Sequence, residues 1–183
     1  MKFKLKFSHI FTAVLSLFLL STIFSCNSEA KPNQATSRGA VNNLTIIVSD
    51  HLWNGEVGDS LRKKFASSVD GLQQEEPLFT INQFNNKFLD NQTAFNRNII
   101  IIKKDEKNLY RFEKNKYAQP QNVVHFTGNN VEDIIGLIGK YGDSLVKVFK
   151  LTEQQKQQEI IKTNLIDAVK IQEKFNVTLD IPL

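Results

Sequence analysis

Three observations predict an α+β fold: a single layered domain in which a mainly antiparallel sheet packs against long helices. Short β-branched apolar runs bounded by polar residues occur at "NLTIIVSD", "RNIIII" and "NVVHF", the pattern of buried strands. From Asn130 onward the apolar period changes to that of a helix. About 140 residues remain beyond the first 40, the usual size of one domain.

The first element lies outside that domain. Lys2, Lys4 and Lys6 precede an apolar run from Ile10 to Phe24, which is shorter than the roughly 20 apolar residues of a membrane-spanning helix. A positive start, a short apolar core and then small residues make the plan of a secretory signal peptide. The run ends in Ile23, Phe24, Ser25 and Cys26, the last being the chain's only cysteine. This ending resembles the lipobox of bacterial lipoproteins. The resemblance implies cleavage before Cys26, a diacylglycerol on its thiol and an acyl group on the new amino terminus. Two or more chains anchor stably where one short chain binds marginally.

Residues 1–25 are thus read as the signal peptide. With no second cysteine, the mature domain has no disulfide and is held by its core. The formal charge of +4 also changes: the 23 basic residues fall to 20 once the three lysines leave, against 19 acidic ones. A near-neutral domain lacks the basic excess that nucleic-acid binding requires.

Residues 26–40, polar and containing Pro32 and Gly39, read as a flexible tether, and residues 41–183 as the domain. "NLTIIVSD" is its first strand. Asp50 is placed to cap a helix whose Trp53, Val57, Leu61 and Phe65 recur every four residues. Gly55 and Gly58 within it suggest close packing or an irregular first turn. Asp70 and Gly71 signal a turn, and Pro77 holds its predecessor extended. Ile99 to Ile102 suits a central strand. "KKDEKN" is read as a hairpin joining it to the alternating Tyr110 and Phe112, and Val123, Val124 and Phe126 form a third strand after Pro120.

Asn130 then caps a helix bearing Val131, Ile134, Ile135, Ile138, Leu145, Val148, Phe149 and Leu151. "TEQQKQQE" fits either an exposed helical segment or a break capped by Thr152. Ile160, Ile161, Leu165, Val169 and Phe175 resume a helical face, and "NVTLDIPL" reads as a final strand.

The segments "HLWNGEVGDSLRKKF", "VDGLQQEEPLF", "RNIII" and "YAQPQNVV", following a lipobox, resemble a bacterial lipoprotein family catalogued as domain of unknown function 4837. The resemblance spans residues 41–183 and implies a lipoprotein of Gram-negative bacteria with no assigned activity. It also implies that the chain is truncated at Leu183, because members of that family run longer.

"GDSL" occurs at Gly58–Leu61 and Gly142–Leu145 and matches the nucleophile block of a serine esterase family. A nucleophilic serine needs a base and an orienting group within reach. Both copies sit in helical patterns, and neither His51 nor His125 lies in a matching motif, so Ser60 and Ser144 read as helix-surface serines. Asp70, Glu75 and Glu76 form an acidic turn able in principle to supply an acid and base pair or a hard cation site. Adjacent Glu75 and Glu76 on an extended segment point to opposite sides, which favours solvated charges. Trp53 and Tyr117 are candidates for a sugar-stacking platform, although a lone tryptophan on a helical stripe is usually core. His51 and His125 are isolated, so no metal site is expected, and no phosphate loop is present.

The resulting expectation is a membrane-anchored envelope lipoprotein, facing the periplasm from the outer membrane, with no cofactor and no nucleic-acid partner. Its domain is expected to be a non-enzymatic binding or structural module, with an envelope protein or glycan as the candidate partner. A second reading is a hydrolase of envelope glycans or lipids using the carboxylates of the acidic turn.

Overall fold

The computed structural model describes residues 34–69, 71, 74–85, 92–163 and 169–178. Its elements are β1 (Ala35–Thr36), β2 (Asn43–Ile47), α1 (Asp50–Trp53), α2 (Glu56–Phe65), β3 (Thr80–Phe84), a 3-10 turn (Thr93–Phe95), β4 (Asn98–Lys104), β5 (Leu109–Lys114), β6 (Ala118–Gln119), β7 (Asn122–Gly128), α3 (Val131–Thr163) and α4 (Val169–Phe175). Helices and a mixed sheet make the α+β class plain. The main sheet runs β3-β2-β4-β7-β5.

The expected antiparallel pairing is corrected. β2 pairs in parallel with both β3 and β4, β4 pairs in parallel with β7, and only β5 on β7 is antiparallel. "KKDEKN" does not close a hairpin of neighbours, because β7 lies between β4 and β5. The physical reason lies in the side chains. Ile99, Ile100, Ile101 and Ile102 are all buried, so β4 is covered on both faces, the situation in which parallel strands occur. β5 alternates between exposed and half-buried residues and fits the edge.

The strand period of two sorts the core into layers. Leu44, Ile46 and Val48 of the β2 segment, Ile100 and Ile102 of β4, and Val124 and Phe126 of β7 face the helices. Ile47, Ile99, Ile101 and Val123 face the other way, with Phe84 and Tyr117 against them. α3 lays Ile134, Ile138, Leu145 and Phe149 on the first face. The Phe149 ring meets Phe65 of α2 at 6.2 Å and Phe79 at 6.0 Å.

The predicted single helix after β2 is two helices. Asp50 is the first residue of α1 rather than its cap, and Ser49 holds the cap position without a side-chain bond. The chain breaks at Asn54 and Gly55 and restarts as α2. Gly58 makes the junction possible: a Cβ there would lie 1.8 Å from the Trp53 carbonyl oxygen. Arg62 donates to that carbonyl and sits over the indole, 4.6 Å from the ring.

α3 is 33 residues long, about 50 Å at the usual rise per residue, and continues through "TEQQKQQE" as a helical segment whose Thr152 and Glu153 are buried and whose other residues are exposed or half-buried. Thr152 does not cap a break; its hydroxyl donates to the Val148 carbonyl inside the helix. Farther on, Ile160, Val169 and Phe175 are exposed rather than core, and Leu165 lies outside the described residues. Residues 176–178 are not strand, and the remainder of "NVTLDIPL" lies outside the described residues.

Part of the segment read as a tether is tied to the domain. β1 pairs in parallel with β6, and the Arg38 amide donates to the Phe95 carbonyl. Four elements, β1, β3, the 3-10 turn and β6, have no assignment in the sequence.

Candidate functional site

Because β3, β2, β4 and β7 are parallel, their carboxyl ends share one rim of the sheet. The chain leaves β2 toward β3 on one side and leaves β4 toward β5, and from there β7, on the other. In open sheets, the place where the strand order reverses in this way leaves a crevice between the outgoing connections. Here it falls between β2 and β4, and a crevice is found there.

One half of it is a cavity of about 340 Å³ lined by Ser49, His51, Leu52, Ile102, Lys103 and Lys104. A neighbouring open cavity of about 240 Å³ shares His51 and Leu52 and is lined by Gly55, Glu56 and Val57 at the start of α2, with Val131 and Glu132 at the start of α3; the two together are called the crevice. The two lysines end the central strand; the two glutamates each open a helix. Among the described residues, His51, Lys103, Lys104, Glu56 and Glu132 form no ion pair. Asp50, next door, is already engaged: its carboxylate accepts from Gln83 at 3.2 Å and Asn85 at 3.3 Å.

The opposite rim is closed. Arg97 and Glu153, 5% and 3% exposed, form an ion pair at 2.8 Å. Glu153 also accepts from the Asn98 side chain at 2.8 Å and the Asn42 amide at 3.1 Å. Arg97 donates onward to the carbonyls of Gly39 and Ala40. Asn122 bridges Asn98 at 2.8 Å and Thr152 at 2.9 Å. This network locks α3 and the entering chain to the amino ends of β4 and β7.

A third polar group lies on the sheet face turned away from α2 and α3. Glu113 accepts from Lys116 at 2.7 Å and His125 at 2.9 Å, with Arg111 at 3.4 Å. The Lys116 hydrogen bond holds the Glu113 carboxyl below its ordinary range. Burial, then the charges of Arg111 and Lys116, push the His125 imidazole down. His125 Nε2 faces both Glu113 at 2.9 Å and the Arg111 guanidinium at 3.4 Å; it donates to Glu113 in the Nε2–H tautomer and accepts from Arg111 in the other.

The residues singled out in the sequence are not brought together. Trp53 packs against the core on the helix side, and Tyr117 lies against the opposite face with Lys116 over its ring at 5.2 Å. They share no stacking platform. Glu75 and Glu76 are exposed, and Asp70 lies outside the described residues, as does Cys26. Both "GDSL" copies are inside helices, α2 and α3. Among the described residues no group of three His, Cys, Asp or Glu is placed to hold a metal ion, and no helix is long and apolar enough to cross a membrane. Sequence reasoning missed Lys103 and Lys104 as site residues and treated His51 only as an isolated histidine. The signal that finds them is their position directly after buried strands, which carries meaning once those strands are known to be parallel.

A model of a domain of unknown function, DUF8532, matches residues 37–162. The chain belongs to this family. The finding corrects the resemblance to domain of unknown function 4837, which rested on four short segments. Such segments are dictated by packing and carry little family information. The DUF8532 span contains the whole crevice and the whole closed network. No curated protein and no solved structure matches the chain.

Proposed function

We propose that this DUF8532 protein is an envelope lipoprotein anchored through Cys26, whose domain binds a small ligand in the crevice between β2 and β4. The observation that carries the anchor is the position of the only cysteine, directly after an apolar run with a lysine-rich start and one small residue. Acylation there holds the domain at the outer membrane on its periplasmic side. The crevice supports the binding role: it opens at the reversal of strand order, and its charged side chains are not used to hold the fold.

Metabolic labelling with a clickable fatty acid tests the anchor. Wild-type chain takes up label and fractionates with membranes, and Cys26→Ala abolishes the label. Label that persists in Cys26→Ala, or wild-type chain that takes up none, rules the anchor out.

A further inference from the structure

The crevice has two electrical halves. Lys103 and Lys104 line one cavity, Glu56 and Glu132 line the other, and His51 with Leu52 forms the wall they share. Taking the crevice as the ligand site, we propose that it receives a small zwitterion: a phosphate or carboxylate held by Lys103 and Lys104, and an ammonium held between Glu56 and Glu132.

Several features of the fold lead here. Lys103 and Lys104 are successive strand residues whose side chains leave opposite faces of β4, in register with Thr127 and Gly128 of β7. Both nevertheless border the same cavity, because β2 ends at Ile47 and its continuation turns into α1, leaving the space beyond the sheet open. Glu56 and Glu132 come from different helices whose first turns meet at the second cavity, beside Val57 and Val131. A plain anion in this crevice would lie close to two carboxylates, and a plain cation close to two ammonium groups. A ligand with both charges meets complementary groups at each end, and His51 and Leu52 lie beside its linker.

The test is an amide NMR titration of the purified full chain in detergent micelles. The two-ended probes are O-phosphoethanolamine and β-alanine, and the half probes are inorganic phosphate and ethanolamine. The expected result is shifts at residues 49–57, 102–104 and 131–132, with the two-ended probes binding on the order of tenfold more tightly than either half. K103A/K104A removes that advantage and leaves ethanolamine binding unchanged; E56Q/E132Q does the reverse with phosphate. Shifts at the crevice with no preference for two-ended probes overturn the ligand class and leave the crevice reading standing. No shifts there at tens of millimolar probe overturn both, while labelling at Cys26 decides the anchor separately. Titration of the same chain with short-chain phosphatidylethanolamine and short-chain phosphatidylcholine separates the sources. Crevice shifts with phosphatidylethanolamine at lower concentration than with O-phosphoethanolamine identify a lipid headgroup, and crevice shifts with O-phosphoethanolamine alone a dissolved zwitterion.

Discussion

The two rims of one sheet treat charge in opposite ways. At the amino ends of β4 and β7, Arg97, Asn98, Asn122, Thr152 and Glu153 satisfy one another out of contact with water. At the carboxyl ends of β2 and β4, Lys103, Lys104, Glu56 and Glu132 leave theirs without ionic partners among the described residues. Buried charge is tolerated only when paired and hydrogen-bonded, so the first rim is committed to holding α3 in place. The second carries no such commitment. The difference separates groups the fold needs from groups it can lend to a ligand.

That contrast breaks if the closed rim proves dispensable. Glu153→Ala leaves Arg97 buried without its carboxylate and strips the acceptor from Asn98 and the Asn42 amide. Removing one partner of a buried pair costs about 3–5 kcal/mol, and urea unfolding should show a loss of that size. A loss under about 1 kcal/mol, the scale of an exposed pair, would mean that the network is solvated in solution. Asn122→Ala ranks next. It removes the donor shared by Asn98 and Thr152 and should cost about 1–3 kcal/mol, the range for unsatisfied buried polar groups. Equality of the two variants would show that charge adds nothing at this rim.

How much of this was legible follows the same division. The apolar run Ile99–Ile102 and the α3 stripe Ile134, Ile138, Leu145 and Phe149 announce burial through composition and period alone, and the α+β class comes with them. Strand direction does not, because parallel and antiparallel strands draw on the same residues and differ in how the chain crosses between them. Glu153 sits in "TEQQKQQE", a stretch without one apolar residue, and its partner Arg97 is 56 positions away. Nothing local marks either as buried. The crevice was hidden for a related reason: Ser49, His51, Lys103 and Lys104 form a site only through the reversal of strand order. Cys26 is the contrary case, since its signal is wholly local.

The half-buried cluster on the other face of the sheet sharpens the contrast through pH. His125 is pushed below its ordinary 6.5 by burial and by Arg111 and Lys116. The unfolded chain therefore takes up that proton first, so the contribution is complete above pH 6.5 and declines as pH falls through that value. Glu113, held below its ordinary 4.5 chiefly by Lys116, adds a second decline in the same direction below pH 4.5. Melting temperatures between about pH 8 and about pH 5 should fall gently on acidification, and His125→Gln should flatten the curve. An unchanged slope in that variant would assign the dependence to other groups. The effect should be smaller than the loss from Asn122→Ala, because the cluster is open to solvent on one side.

The smallest expected change is the one that best tests the open rim. K103A/K104A removes two charges from the carboxyl end of the central strand, a position that in a closed network would be among the most costly in the molecule. Here both side chains are exposed and border a cavity rather than filling the core. Surface substitutions away from packing and pairing stay within about 0.5 kcal/mol, and the urea midpoint should move no further than that. Ile102 and Leu52 border the same cavity as the lysines, so a small loss within that range is consistent with packing alone. A loss comparable to that of Glu153→Ala would place these lysines in the structural framework after all, and the crevice would then be an end of the core rather than a place kept for a ligand.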